Sequence, residues 1–431
     1  MIRKEIFASI ISDFQARPLP LLWERELEVP FDSGKIITLS GVRRSGKTFH
    51  LYKIIKNLLN RKIPIERIVY INFEDERLDI TAKELDDLLQ AYLEIYPDSD
   101  LSKVYFFFDE IQEVDGWEKF VIRLYNTISQ HIFITGSNAK MLSREIATSL
   151  RGRTITYQVF PLSFKEYVTI KSPGIKIHTS SGKAKIISLF KKFLKDGGFP
   201  EVIGQKSEIR HKILQEYFNT MVLRDIVERY QISSVRILKY FCKRLVGASG
   251  GELSINKIYN ELKTLGYNIG KDTLYQYLDY VDSVYLVRTI EKHTHSVVKS
   301  EMAQKKVYVI DSGMGYALDY KFSKDLGKLL ETTIALEFQK SAVDVAYHSN
   351  GAECDFVVRK NGEVIEVVQV AWSIEDGQTK AREIRGLVNA AKKYGLKTGT
   401  ILTLTDKDTI SHDGIDISIV PAWEYLMQGL S

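Results

Sequence analysis

The chain has 431 residues, enough for two or three domains with separate cores, and its 44% hydrophobic and 27% charged content is that of an ordinary globular protein. A net charge of +5 is compatible with nucleic acid but too mild to argue for it, and no apolar run approaches the roughly 18 residues that span a bilayer. Two cysteines far apart, Cys242 and Cys354, exclude a disulfide framework and a CxxC-type zinc site.

Residues 1 to about 31 read as an amphipathic helix and an extended arm, broken at Pro18 and Pro20. The acidic residue and interrupted apolar pattern at the N-terminus do not suit a signal peptide, so a cytoplasmic protein is expected. From Lys35 the pattern alternates. Ile36 to Ser40 is a first strand, and Leu51, Ile54, Ile55 and Leu58 recur at helical spacing after it. Further strands are expected at Arg67 to Phe73, Lys103 to Phe108, His131 to Thr135 and Thr154 to Val159. Strands alternating with helices predict a mainly parallel sheet, with its ligand at the carboxyl ends of the strands.

Between the first strand and its helix, Gly41, Gly46, Lys47 and Thr48 satisfy the pattern G-x-x-x-x-G-K-[ST]. Glycines let the backbone of Gly41, Val42, Arg43, Arg44, Ser45 and Gly46 wrap closely around phosphate oxygens with its N–H groups inward. Lys47 supplies a mobile charge for the terminal phosphates, the Thr48 hydroxyl is a magnesium ligand, and the following helix adds its positive N-terminal end. Two strands later an apolar run ends in Asp109 and Glu110. Paired carboxylates at that point suit a magnesium partner and a residue that polarises the attacking water. The fourth strand ends in Thr135-Gly136-Ser137-Asn138, where a short polar side chain either senses the γ-phosphate or caps the next helix. Arg144, Arg151 and Arg153 follow, and the latter two are preferred as an arginine finger, from the same or a neighbouring subunit.

In this order, SGVRRSGKT, FFFDEIQ, TGSNAKMLSREIATSLRGRT and VFPLSFKEY closely resemble a family of prokaryotic AAA+-type P-loop ATPases fused to a C-terminal, mostly degenerate restriction-endonuclease-like domain. DGGFPEV (Asp196 to Val202) and VLRDIVERY (Val222 to Tyr230) extend the likeness over nearly the whole chain. The resemblance implies an additional-strand sheet and ATP with Mg2+ as cofactors. It makes Lys47 and Thr48 the Walker A pair, and Asp109 and Glu110 the Walker B pair. Ser137 or Asn138 would be the first sensor, and Arg151 or Arg153 the finger.

Lys171 to Lys183 is a Pro, Gly and Ser-rich loop, and residues 184 to about 230 are helix-rich around Gly197-Gly198 and Pro200. Arg224 lies there, closer in character to a salt-bridge partner of Asp225 or Glu228 than to a second sensor. Residues 235 to about 295 predict a helix-turn-helix with a β wing. Its second helix, Lys271 to Val281, would present Lys271, Thr273, Tyr275 and Gln276 to DNA, although Asp272, Asp279 and Asp282 dilute the charge. From about 300 onward strands and helices alternate again. The carboxylates Glu331, Asp355 and Glu366 fall where a restriction-endonuclease-like fold keeps its magnesium acids. The lysine such a site needs is missing: E-x-K from Glu366 finds Val368, and Q-x-K from Gln369 finds Ala371. Nuclease chemistry is therefore not expected.

The expectation is an α/β chain in three parts. These are a P-loop ATPase domain with its arm (1–170), a helical and winged-helix segment (184–295), and a restriction-endonuclease-like domain (296–431). Three functional classes remain open: an ATP-driven switch or remodeller acting on a partner such as DNA, an ATP-dependent nuclease, and a slow nucleotide-gated signalling switch. No NKxD motif follows the fourth strand, so ATP is preferred to GTP. A homo-oligomer is compatible with a finger acting between subunits, and no membrane is expected.

Overall fold

In the computed structural model, which describes residues 3–137, 150, 152–294, 303–341 and 343–429, contacts divide the chain into two units, Met1–Phe160 and Pro161–Ser431. The first unit begins with α1 (Arg3–Ala16), β1 (Ile36–Ser40), α2 (Lys47–Asn60), β2 (Ile68–Asn72) and α3 (Asp86–Ile95). It continues with β3 (Tyr105–Asp109), α4 (Trp117–Thr127), β4 (Ile132–Gly136) and β5 (Thr154–Gln158). The strands form one sheet in the order β2-β3-β4-β1-β5, and every pairing is parallel.

A parallel sheet covered on both faces needs strands that are apolar throughout. Phe106, Phe107 and Phe108 in β3 meet this requirement, each with no exposed surface. Phe106 and Phe108 pack with Phe7 of α1, Leu88 of α3 and Phe120 of α4, whereas Phe107 packs on the opposite face with Leu51, Ile54 and Leu58 of α2. The sheet order inserts β4 between β1 and β3, which is the additional-strand arrangement of a P-loop core. It brings the carboxyl ends of these three strands side by side.

The second unit opens with α5 (Phe164–Lys171), α6 (Ser180–Asp196) and α7 (Ser207–Val222), and α7 runs into a π-helical stretch at Leu223–Glu228. In the structure α5 packs Phe164 against Phe190 and Phe193 of α6. Then come α8 (Val235–Gly247), β6 (Gly251–Glu252), α9 (Ile255–Thr264), α10 (Lys271–Ser283), β7 (Val287–Ile290) and β8 (Lys306–Val309). β6, before α9 and α10, joins β7 and β8, after them, in a short antiparallel sheet of order β6-β8-β7. Tyr285, at φ 61°, turns the chain out of α10, and β7 begins at Val287.

The remainder runs α11 (Ser312–Leu318), α12 (Tyr320–Lys324), α13 (Leu326–Lys340), β9 (Asp344–Ser349), β10 (Glu353–Lys360), β11 (Glu363–Val370) and α14 (Gly377–Tyr394). It closes with β12 (Thr398–Thr403), β13 (Asp408–His412), β14 (Ile415–Pro421) and α15 (Ala422–Gln428). These strands make a mixed six-stranded sheet, β13-β14-β12-β11-β10-β9. The β10–β11 hairpin turns at Asn361 and Gly362, both at positive φ, as their Asn-Gly sequence requires.

Candidate active site

The loop from Gly41 to Gly46 leaves the buried end of β1 and enters α2. Gly41 has φ 154°, and a Cβ there would lie 2.1 Å from the Val159 carbonyl oxygen, so no other residue fits. Gly46 stands at φ 101° before a helix with no side-chain cap, which leaves the first amides of α2 to face the loop. The Ser45 hydroxyl is buried and has no hydrogen-bond partner among the described residues. An orphaned hydroxyl and uncapped amides beside a fully buried strand end form a cradle for an anion.

Lys47 folds back over this loop. Its ammonium donates to the carbonyls of Gly41 at 3.2 Å and Val42 at 3.5 Å, and it pairs with Glu110 at 3.2 Å. Arg43 reaches outward to Glu74 at 2.8 Å. Arg44 adopts the left-handed conformation, φ 69°, that the tight wrap demands. From the N-terminal arm, Arg25 donates to the Ser45 carbonyl at 3.2 Å and to the Phe160 carbonyl at 2.8 Å.

Asp109 closes the site. It receives hydrogen bonds from the Thr48 hydroxyl and the Tyr70 hydroxyl, each at 2.7 Å, and from the Thr135 hydroxyl. Burial, reinforced by the neighbouring charge of Glu110, raises its carboxyl above the usual range, and the three donors oppose that rise. Glu110 also suffers burial, but Lys47, Gln112 and Arg43 together hold it below its ordinary value. Its backbone sits at φ 51°, and its amide donates to Thr135 at 2.8 Å, so one threonine fixes both acids. Thr48 and Asp109, a hydroxyl and a carboxylate in contact, are a donor set that fits a magnesium ion.

Of the expected sensor residues, Ser137 is buried at the end of β4 and Asn138 lies outside the described residues. Arg144 and Arg151 lie outside them too. Arg153 precedes β5 and bonds Asn126 at 3.1 Å. Because β5 runs parallel to β1 and Thr154 pairs with Ile36, Arg153 stands at the far end of the strands. Five residues at about 3.3 Å each separate it from the loop, so within one chain it does not reach the site.

Residues 33–168 match an AAA domain, and residues 187–325 match a domain of unknown function, DUF8612. An uncharacterised protein of Methanocaldococcus jannaschii is 34% identical, with 98% of this chain and 95% of that protein covered. A second, from Haemophilus influenzae, is 31% identical over 91% of this chain and 94% of its own length. The chain belongs to this family of AAA-domain proteins. Among solved structures, a Walker-type ATPase of Pyrococcus abyssi aligns over 70% of this chain and 99% of its own, at 16% identity and a TM-score of 0.42. An ORC1 protein of Aeropyrum pernix in complex with DNA aligns over 75% of this chain and 91% of its own, at 11% identity and a TM-score of 0.29.

Sequence reasoning about the AAA site did not reach Tyr70 or Arg25, and it named Thr135 only as part of the polar end of the fourth strand. Tyr70 carried a signal, being a hydroxyl in the otherwise apolar strand beside the Asp109 strand. Arg25 carried none, because nothing in an extended arm fixes where it lands.

The second unit gathers only part of the acidic set expected there. Glu331 and Asp355 converge on one ammonium, Lys306, at 3.0 and 2.9 Å, and Glu353 joins them at 2.6 Å. Tyr308, two residues along the same strand face, donates to Glu331 at 2.8 Å. Gln369 accepts from the Asp355 amide at 3.2 Å and donates to Glu383 of α14. Glu366 does not belong to this group. Side chains alternate along a strand, so residues 366 and 369 face opposite ways, and Glu366 bonds Thr400 at 2.7 Å and Tyr425 at 2.8 Å. With three carboxylates already turned onto an internal ammonium, this arrangement does not fit a metal ion. Burial and Asp355 raise Glu331 to about 7, against the opposing pull of Lys306.

Proposed function

We propose that the AAA unit binds ATP with magnesium and hydrolyses it, and that the cycle drives a conformational switch acting on a nucleic-acid partner through the C-terminal half. The observation that carries this reading is the contact of Thr48 with Asp109 beside the Lys47–Glu110 pair. Thr48 and Asp109 would hold the ion, which supplies charge neutralisation for the phosphates when bound. Lys47 now spends its ammonium on two carbonyls and a carboxylate. A triphosphate in the cradle offers it a stronger partner, and its transfer releases Glu110 to orient the attacking water. Thr135 keeps Glu110 and Asp109 in register while this happens. Ser137 or Asn138 would sense the terminal phosphate, and Arg151 or Arg153 would serve as a finger from a neighbouring copy. Because Arg153 is remote within its own chain, the reading requires a homo-oligomer if that residue is used.

The helix pair α9–α10 followed by β7 supports a winged-helix reading of residues 235–295, and β8 (Lys306–Val309), beyond that range, pairs with β7. The α13, β9–β11, α14, β12 order supports a degenerate restriction-endonuclease-like reading of the end of the chain. The Lys306 cluster argues against hydrolysis there.

Phosphate release from ATP, measured for wild type, Lys47→Ala and Glu110→Gln, tests the proposal. Lys47→Ala should lose nucleotide binding, and Glu110→Gln should bind ATP but turn over at least about 100-fold more slowly. Wild-type turnover by Glu110→Gln would remove the assigned base.

A further inference from the structure

Charge in this protein is unevenly placed. Residues 164–196 hold eight lysines and two acidic residues, an excess of six, whereas the whole chain has an excess of five. All other residues together are therefore slightly negative, and the positive charge belongs to α5, α6 and the loop between them. The apolar face of α6, with Ile186, Phe190, Phe193 and Leu194, is buried in the second unit. Its lysines are thereby held on the outer side.

Among these lysines, α6, α7 and α11 border an open depression of about 550 Å³ whose lining includes Lys191, Lys192, Lys195, Asp196, Arg210 and Tyr316. The three lysines are exposed and make no hydrogen bond or ion pair among the described residues. Arg210 is 9% exposed and fastened to Asp196 at 2.9 Å and Ser207 at 3.3 Å, so one wall is rigid and its single acid is already engaged. Tyr316 adds an aromatic face.

We infer that this depression and the lysines that line it form the docking surface for the phosphodiester backbone of a nucleic acid, with Tyr316 available to an unpaired base. The inference rests on the nucleic-acid reading of the partner given above, and deepens it by naming the surface. Unpaired cations along a concave slot beside an aromatic ring are the combination that holds single strands. A lipid surface would need an apolar face free for insertion, and the apolar side of α6 is buried. The alternative surface within the same unit is weaker. The exposed residues of α10 include Lys271, Asp272, Tyr275, Gln276 and Asp279, one cation against two acids.

The test is fluorescence anisotropy of labelled single-stranded and double-stranded DNA with the full-length protein, without nucleotide, over a range of salt. The variants are K191E/K192E/K195E and, as a matched control, K257E/K263E/K271E on α9 and α10. The α6 variant should bind at least tenfold more weakly, and its dependence of log affinity on log salt should flatten by about two for single strands. It should keep wild-type ATP turnover, measured on the same preparation, so that failure at this surface is told apart from failure of the ATPase reading. Tyr316→Ala should weaken single-stranded more than double-stranded binding. Undiminished binding by the α6 variant, loss confined to the control, or binding only to anionic vesicles of phosphatidylglycerol would each overturn the proposal.

Discussion

Tyr70 shows how one atom sets the chemistry of a site. Its hydroxyl is one of three donors on a carboxylate that burial would otherwise push toward the neutral form. A hydrogen bond to a charged group contributes about 1.5–3 kcal/mol. Tyr70→Phe should therefore raise the magnesium concentration needed for half-maximal ATP turnover by roughly tenfold or more, read from a metal titration at saturating ATP. Lys306 in the second unit works in the opposite sense. It is 1% exposed and neutralises three acids, so Lys306→Met strands buried carboxylates. The expected loss is about 3–5 kcal/mol of stability by chemical denaturation, recovered in part by Lys306→Met with Asp355→Asn. The sequence already held the signal for this residue, a lysine opening the apolar run KVYVI, but only the fold reveals what it faces. The E-x-K pattern places the cation two residues after a strand acid on one chain segment, whereas the ammonium arrives from β8, a strand of the other sheet.

At the scale of elements, the turn between α6 and α7 meets the start of α11 through Asp311. Its carboxylate accepts from the amides of Gly198 at 2.7 Å and Met314 at 2.8 Å, and it fills the space where a Cβ on Gly197 would lie. The Gly197-Gly198 pair is thus a packing requirement, not merely a helix break. Burial raises Asp311 to about 6 despite those donors and the nearby Lys340. A raised acid binds its proton in the folded chain at a pH where the unfolded chain has already lost it. Wild type should then lose stability relative to Asp311→Asn as pH rises from about 4 through 6, and the difference should level off above that. The span is on the order of 3 kcal/mol, measured as the difference in denaturation free energy at several pH values. Element order in the first unit was largely legible, because continuous apolar strands and 3.6-residue helical spacing leave few alternatives. Where α5 packs was less so: Phe164, Tyr167 and Val168 have helical spacing that suits either neighbour, and only the partners they find decide it.

For the molecule as a whole, the glycine loop and the acidic pair were readable because their spacing is dictated by phosphate geometry. The basic slot was not, since lysines on an outer helix face look alike whether they line a groove or simply meet water. Arg25 adds something that neither motif nor composition foretold. Its guanidinium holds the loop carbonyl of Ser45 with one nitrogen and the carbonyl of Phe160 with another, and Phe160 is the last residue of the first unit. The polypeptide thus leaves the unit from a point already tethered to the glycine loop. One guanidinium ties the loop and the chain's exit together, and neither can be displaced alone without straining one of its two hydrogen bonds.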